Sequence, residues 1–177
     1  MSSWQLAHLS SLIPAADYET LVLPKGTRWG VRPIIPMDNG ILSVQHTIPS
    51  RDKPNWVIAG GGVEKGETIP QAGIRELQEE ANVTISIKRL LYVRIFYFER
   101  PVVEFYPLAQ IESGTPSLGY DPETSSENQI LTDIRVISFD ELEQDESLTF
   151  YPIFMRQRLQ RDLQHPPTKA LYVGTTP

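Results

Sequence analysis

The chain has 177 residues, of which 40% are hydrophobic and 21% charged, with a net charge of −6 and no cysteine. That length supports one domain, 1–177, with a core of its own, while the acidic balance excludes a basic nucleic-acid surface. Absence of cysteine excludes disulfide and thiolate chemistry and leaves the compartment open. No apolar run approaches the roughly 18 residues of a membrane span, and the opening MSSWQLAHLSSLIPAADYE lacks a basic-then-apolar signal. The expected setting is therefore the cytoplasm by default, with neither a membrane nor a nucleic acid as partner and with monomer or homodimer left open.

In chain order, residues 1–16 read as a short N-terminal arm or helix and 18–23 as a strand, turned by Pro24-Lys25-Gly26. Residues 29–36 and 41–48 form an expected hairpin around Asp38-Asn39-Gly40, where Asn-Gly is a strong turn signal. A loop, PSRDKPN, leads to a short strand at 56–59 and then to glycines. Residues 69–81 predict a helix: Thr68-x-x-Gln71 is a capping-box pattern, Pro70 falls in the first turn, and Asn82 tolerates the left-handed backbone that ends helices. Strands follow at 83–97 and 102–111. The turn-rich stretch ESGTPSLGYDPETSSEN (112–128) is long enough for a binding loop. A strand at 129–138, a short helix at 139–144 and a C-terminal helix at 150–163 complete the chain. Strands with interspersed helices imply an α/β fold with a mixed sheet covered on both faces.

The chemistry concentrates in GGVEKGETIPQAGIRELQEEANV, residues 61–83. At about 100° per residue, Glu79 and Glu80 lie roughly 60° to one side and 40° to the other of Glu76, so three carboxylates share a stripe. Ile74, Leu77 and Ala81 form a second stripe suited to a core. Ala72 and Gly73, one turn earlier on the carboxylate face, leave room for loop backbone or a phosphate. Like charges at i,i+3 and i,i+4 are unfavourable, and Glu79 and Glu80 face the negative end of the helix dipole. A solvated glutamate-rich face is the ordinary explanation of such a run. A divalent cation would reverse the sign of each of these effects, and magnesium, which takes carboxylates, waters and phosphates as ligands, fits best.

The spacing Gly61-x5-Glu67-x7-Arg75-Glu76-Leu77-x-Glu79-Glu80-x-Asn82-Val83 resembles the Nudix box in eight of its nine specified positions, with Asn82 in place of the usual glycine. The resemblance implies an α/β/α sandwich with a mixed sheet, and a hydrolase that cleaves a nucleoside diphosphate linked to another moiety with Mg2+ or Mn2+. It implies Glu79 and Glu80 as main metal ligands, Glu76 as a further ligand or water activator, and the Gly61 carbonyl as a ligand. Arg75 would orient the glutamates, and Glu67 would pair with Arg75. Asn is the next-best residue for a left-handed cap, so an intact site is expected, with glycine at 82 tolerated or slightly stabilising.

Further candidates are weaker. Glu127, backed by Glu123, is the expected loop general base. Arg51, Lys53 and Arg94 are candidates for phosphate contact, and Tyr97, Phe98 and Tyr120 for stacking on a base, though each has a structural explanation as a solvated or core residue. Without cysteine the chain does not match isopentenyl diphosphate isomerases, and its low basic charge does not suit mRNA decapping. Pro101, 18 residues beyond Val83, is a weak pointer to ADP-ribose hydrolases. The expected substrate is a small nucleotide, with a nucleotide sugar or ADP-ribose-like compound favoured. The alternatives are an NTP pyrophosphohydrolase and a non-catalytic nucleotide-sensing module.

Overall fold

A computed structural model describes residues 26–122, 125 and 129–173. The arm at 1–16, the strand at 18–23 and the loop carboxylates Glu123 and Glu127 lie outside the described residues. Among the described residues, ten strands build two mixed sheets. The first is ordered β10 (Leu171–Val173), β6 (Thr84–Phe98), β7 (Arg100–Ser113), β1 (Arg28–Val31), β5 (Gly61–Gly62). Strands β6 and β7 are an antiparallel hairpin, β1 runs parallel to β7, and β5 is antiparallel to β1. The second sheet centres on β3 (Gly40–His46), which pairs with β2 (Pro36–Met37), β4 (Asn55–Val57) and β8 (Leu131–Ser138); β9 (Phe150–Tyr151) runs parallel to β4.

Helix α1 (Ile69–Ala81) sits where both sheets need cover. Its Thr68 cap forms a full capping box with Gln71, and Pro70 occupies the first turn, as the sequence predicts. The N-terminal half gives Ile69 and Ala72 to a core with Val31, Val93 and Phe105 of the first sheet. The C-terminal half gives Leu77 and Ala81 to a core with Val44, Val57 and Leu131 of the second. A third core, containing Ile41, Trp56, Tyr92 and Tyr106, is closed by Leu142 of α2 (Phe139–Gln144), Met155, and Leu159 of α3 (Leu159–Gln164).

Four sequence expectations are corrected. Residues 29–36 pair with 41–48 only next to the turn, where Pro36 faces Ile41 and the Ile35 carbonyl accepts from the Leu42 N–H; β1 belongs to the other sheet. The turn is centred on Asp38, at φ 43°, and Asn39. Gly40 already belongs to the strand, where a Cβ would lie 2.1 Å from the Ile137 carbonyl oxygen. The single helix expected at 150–163 is broken into β9, a 3-10 turn (Ile153–Met155) and α3. Pro152 keeps its predecessor extended, and Phe150 pairs with Trp56 instead. Ile74 is not a core residue: it is 36% exposed, whereas Glu76 and Glu80 are buried beside Leu77 and Ala81. The room left by Gly73 is taken by Pro33 and Val31, whose side chains would stand 3.0 and 3.3 Å from a Cβ there.

This placement of the buried face has a direct consequence. Leu77→Ala should lower unfolding free energy by about 2–5 kcal/mol, and Ile74→Ala by less than about 1 kcal/mol. Denaturant midpoints measure both, and equal losses would contradict the assignment of the helix faces.

Candidate active site

The glycine strand β5 lies antiparallel to β1 and brings Gly61 against the carboxylate face of α1. A Cβ on Gly61 would stand 2.6 Å from Glu76 Oε1, so a larger residue there would have to displace the Glu76 carboxylate. The Gly60 N–H donates to Glu80 Oε2 at 2.7 Å. Arg75 gathers the remainder: its Nε donates to Glu67 Oε1 at 2.8 Å, one Nη to Glu76 at 3.0 Å and Glu79 at 3.1 Å, and the other to the Gly62 carbonyl at 2.9 Å and Glu67 at 3.0 Å. One guanidinium thus holds three carboxylates and the glycine strand together, a use of planar donor geometry that lysine does not reproduce.

Burial dominates the electrostatics of the two inner glutamates. It pushes the Glu76 carboxyl up to about 7, against the pull of Arg75. It pushes Glu80 likewise to about 7, opposed by Arg32 and the Gly60 N–H. Glu67 moves the other way, held low by its hydrogen bond from Arg75. Among the described residues no group of three His, Cys, Asp or Glu side chains is gathered into a ready-made metal cage, because Glu76 and Glu79 turn to Arg75 and Glu80 turns to Gly60. An all-protein cage is not what magnesium requires, since substrate phosphates and waters complete its shell. The donor set of hard carboxylate oxygens, two of them buried with incomplete compensation, fits such an ion.

Four residues that sequence reasoning did not single out adjoin this cluster. Arg32 donates to Glu104 at 3.3 Å and to the Ile58 carbonyl at 2.8 Å, and its charge acts on Glu80. Glu104 lies between Arg32 and Arg94 and accepts from the Tyr106 hydroxyl at 2.5 Å. His46 Nε2 stands 3.9 Å from Glu80 Oε1; burial, with help from Arg32 and Arg51, lowers its pKa to about 4, so it is neutral at physiological pH. Asp121 acts electrostatically on both His46 and Glu80. A sequence signal existed for the first two: each is a lone charge in an apolar run, in VRPII and VVEFY.

The other candidates are dispersed. Arg94 is buried, donates to the Tyr151 hydroxyl and lies 4.2 Å from the Phe96 ring centroid, so its guanidinium is committed to protein partners. It borders the site through Glu104. Arg51 is exposed on the loop facing His46. Lys53 lines a recess with Pro54, Trp56 and Ser147 that contains no box residue. A cavity of about 120 Å³ beside Gly61 is lined by Arg28, Arg32, Phe96 and Glu104. A larger one of about 460 Å³, around Ile35, Met37 and Leu108, is remote from the box chemistry. Tyr120 is 47% exposed and lies against the C-terminal end of α1, whereas Tyr97, 74% exposed, is near the hairpin tip. Asn82 takes the left-handed conformation, φ 55° and ψ 34°, as its box position demands. Its side chain is not idle, however: Nδ2 donates to Ser117 and to the Leu118 carbonyl, contacts that a glycine would lack.

With this geometry in place, comparison is decisive. The NUDIX domain family model matches residues 25–157. The chain belongs to the Nudix family of pyrophosphohydrolases. No curated protein sequence matches the chain, but solved structures share its fold. A Nudix hydrolase from Nitrosomonas europaea superposes with a TM-score of 0.64 at 20% identity, covering 81% of this chain and 92% of its own. An ADP-ribose pyrophosphatase from Streptococcus suis gives 0.55 at 17%, covering 84% and 98%. A UDP-X diphosphatase gives 0.60 at 17%, covering 97% of this chain and 75% of its own. At these identities the likeness establishes the fold alone.

The raised carboxyls have a measurable signature. Between about pH 4.5 and 7 the folded chain retains protons on Glu76 and Glu80 that the unfolded chain has released, so their contribution to stability is present below that window and lost as pH rises through it. Glu80→Gln cannot ionise and should gain in thermal midpoint relative to wild type as pH rises from about 5 to 8 in chelator. A difference independent of pH would contradict the burial of a strained carboxyl here.

Proposed function

We propose that this enzyme hydrolyses the pyrophosphate bond of a nucleoside diphosphate linked to a sugar or similar group, with a divalent ion, Mg2+ or Mn2+, held by Glu76, Glu79, Glu80 and the Gly61 carbonyl. The observation that carries this reading is the pair of buried glutamates, both raised to about 7 and packed against a glycine strand, at the side of a single organising arginine. An ion held by these residues would supply charge neutralisation at the pyrophosphate and would make water a better nucleophile toward phosphorus. Arg75 holds Glu76 and Glu79 together through one Nη, and the Gly60 N–H fixes the carboxylate of Glu80. Glu67 anchors Arg75 rather than touching substrate.

The segment after β7 supplies the proton acceptor in this reading. Glu127 is the carboxylate proposed from the sequence, and Asp121, whose charge reaches Glu80 and His46, stands at the described end of the same segment. In this reading Arg51, on its exposed loop, meets the outer phosphate, and the half-exposed ring of Tyr120 meets a base or sugar. The preference for a linked nucleoside diphosphate draws on fold neighbours that include an ADP-ribose pyrophosphatase and a UDP-X diphosphatase. An NTP pyrophosphohydrolase would use the same metal cluster and differ only in this outer region.

A nucleotide panel with magnesium, reading released phosphate after phosphatase coupling, tests the proposal. Nucleoside-diphosphate sugars or ADP-ribose should turn over fastest, chelator should abolish turnover, and Glu79→Gln should reduce it by orders of magnitude with the fold retained. Fastest turnover of NTPs would move the substrate assignment. Magnesium-dependent nucleotide binding without hydrolysis of any compound would establish a sensing module instead.

A further inference from the structure

The box asparagine does more than end a helix. An α-helix leaves its last carbonyls without intrahelical donors. In α1 three of these belong to Glu79, Glu80 and Ala81, the first two of which carry proposed metal ligands. They accept from the backbone N–H groups of Tyr120, at 2.9 Å, Gly119, at 3.0 Å, and Ser117, at 3.1 Å. The segment 117–120 therefore runs as a strap across the end of the helix. Gly119 is flush with it: a Cβ there would fall 1.8 Å from the Glu79 carbonyl oxygen. Asn82 Nδ2 reaches back to the strap at three points, the Ser117 carbonyl at 3.3 Å, Ser117 Oγ at 3.2 Å and the Leu118 carbonyl at 3.3 Å. On the far side, the Gln129 amide donates to the Asp121 carbonyl at 2.6 Å and accepts from the Asp121 N–H at 3.4 Å.

We propose that Asn82 is a positioning residue which pins the strap 117–121 to the metal-bearing end of α1 and so sets Tyr120 and Asp121 for substrate. Glycine at this position supplies the left-handed backbone but has no side chain to reach the strap. Asparagine supplies both, which gives its presence here a function beyond tolerance. The proposal rests on the pyrophosphohydrolase reading for its kinetic consequence but not for its structural one. The strap meets the helix end through backbone carbonyls and the Asn82 side chain, so its loosening acts on how substrate is held before it acts on the metal.

Two variants test it in the full-length protein: Asn82→Gly, which keeps the cap conformation, and Gly119→Ala, which pushes the strap off the helix end without altering Asn82. Amide hydrogen exchange at Ser117, Gly119 and Tyr120 should accelerate roughly five- to tenfold in Asn82→Gly, in line with the loss of one amide's hydrogen bonds. With the best substrate of the panel, both variants should raise KM by a similar factor while kcat and Mn2+ affinity stay near wild type, and the double variant should add little. Unchanged exchange at those amides overturns the proposal whatever the activity. A fall in kcat and metal affinity with KM unchanged overturns it too, because Asn82 would then act through the helix alone. If wild type hydrolyses nothing, the pyrophosphohydrolase reading fails on its own account, and the exchange result still decides whether Asn82 holds the strap.

Discussion

The guanidinium of Arg75 is the contact on which the site depends. Glu67, Glu76 and Glu79 are like charges within hydrogen-bond reach of one cation, and the same cation fastens the Gly62 carbonyl of the glycine strand. Remove it and three carboxylates repel one another at partly buried positions, where an unpaired charge costs several kcal/mol. The helix face explains why such a cluster is tolerated at all. Glu76 and Glu80 share the buried side of α1 with Leu77 and Ala81, so the apolar packing that fixes the helix between two sheets also fixes the carboxylates. Stability and the accumulation of negative charge are thus supplied by adjacent residues of one helix.

A second polar line runs beneath the first. Glu104 of β7 lies between Arg32 and Arg94, accepts from Tyr106, and connects through Arg32 to the field at Glu80. Every member sits on a strand of the first sheet or just beyond one, and pairing fixes the separation: Glu104 is directly opposite Arg94 in the β6–β7 hairpin and Gly30 in β1. The sheet thereby supplies a rigid floor of alternating charge under the glycine strand.

What could be read from the sequence was what depends on local chemistry. The helix limits, its capping box and the left-handed Asn82 follow from neighbouring residues, and the Glu67–Arg75 pairing from the resemblance of the motif to the Nudix box. The errors arose where distant strands compete. Asp38-Asn39-Gly40 does turn the chain, but β1 is claimed by β7, more than seventy residues away, so the long hairpin does not form. Residues 150–163 have apolar spacing adequate for a helix, yet Phe150 finds a strand partner in Trp56. Ile74 looked like core because periodicity cannot tell which neighbours a face meets, and here the glutamates meet the glycine strand. Asp121 and His46 were invisible for the same reason, and the stretch 112–128 was legible as a binding loop but not its seating on the end of α1, which exists only through tertiary contacts.

On the proposed reading, the carboxylates of α1 hold a divalent cation. Mn2+ binding followed by electron paramagnetic resonance, in wild type and in Glu80→Gln, tests it without requiring knowledge of the substrate. The wild type should take up Mn2+ saturably, more tightly as pH rises from about 6 to 8 because the ligands must be deprotonated, and Glu80→Gln should bind it far more weakly. Identical binding by the two proteins, or no saturable binding by the wild type even with nucleotide present, would contradict the account.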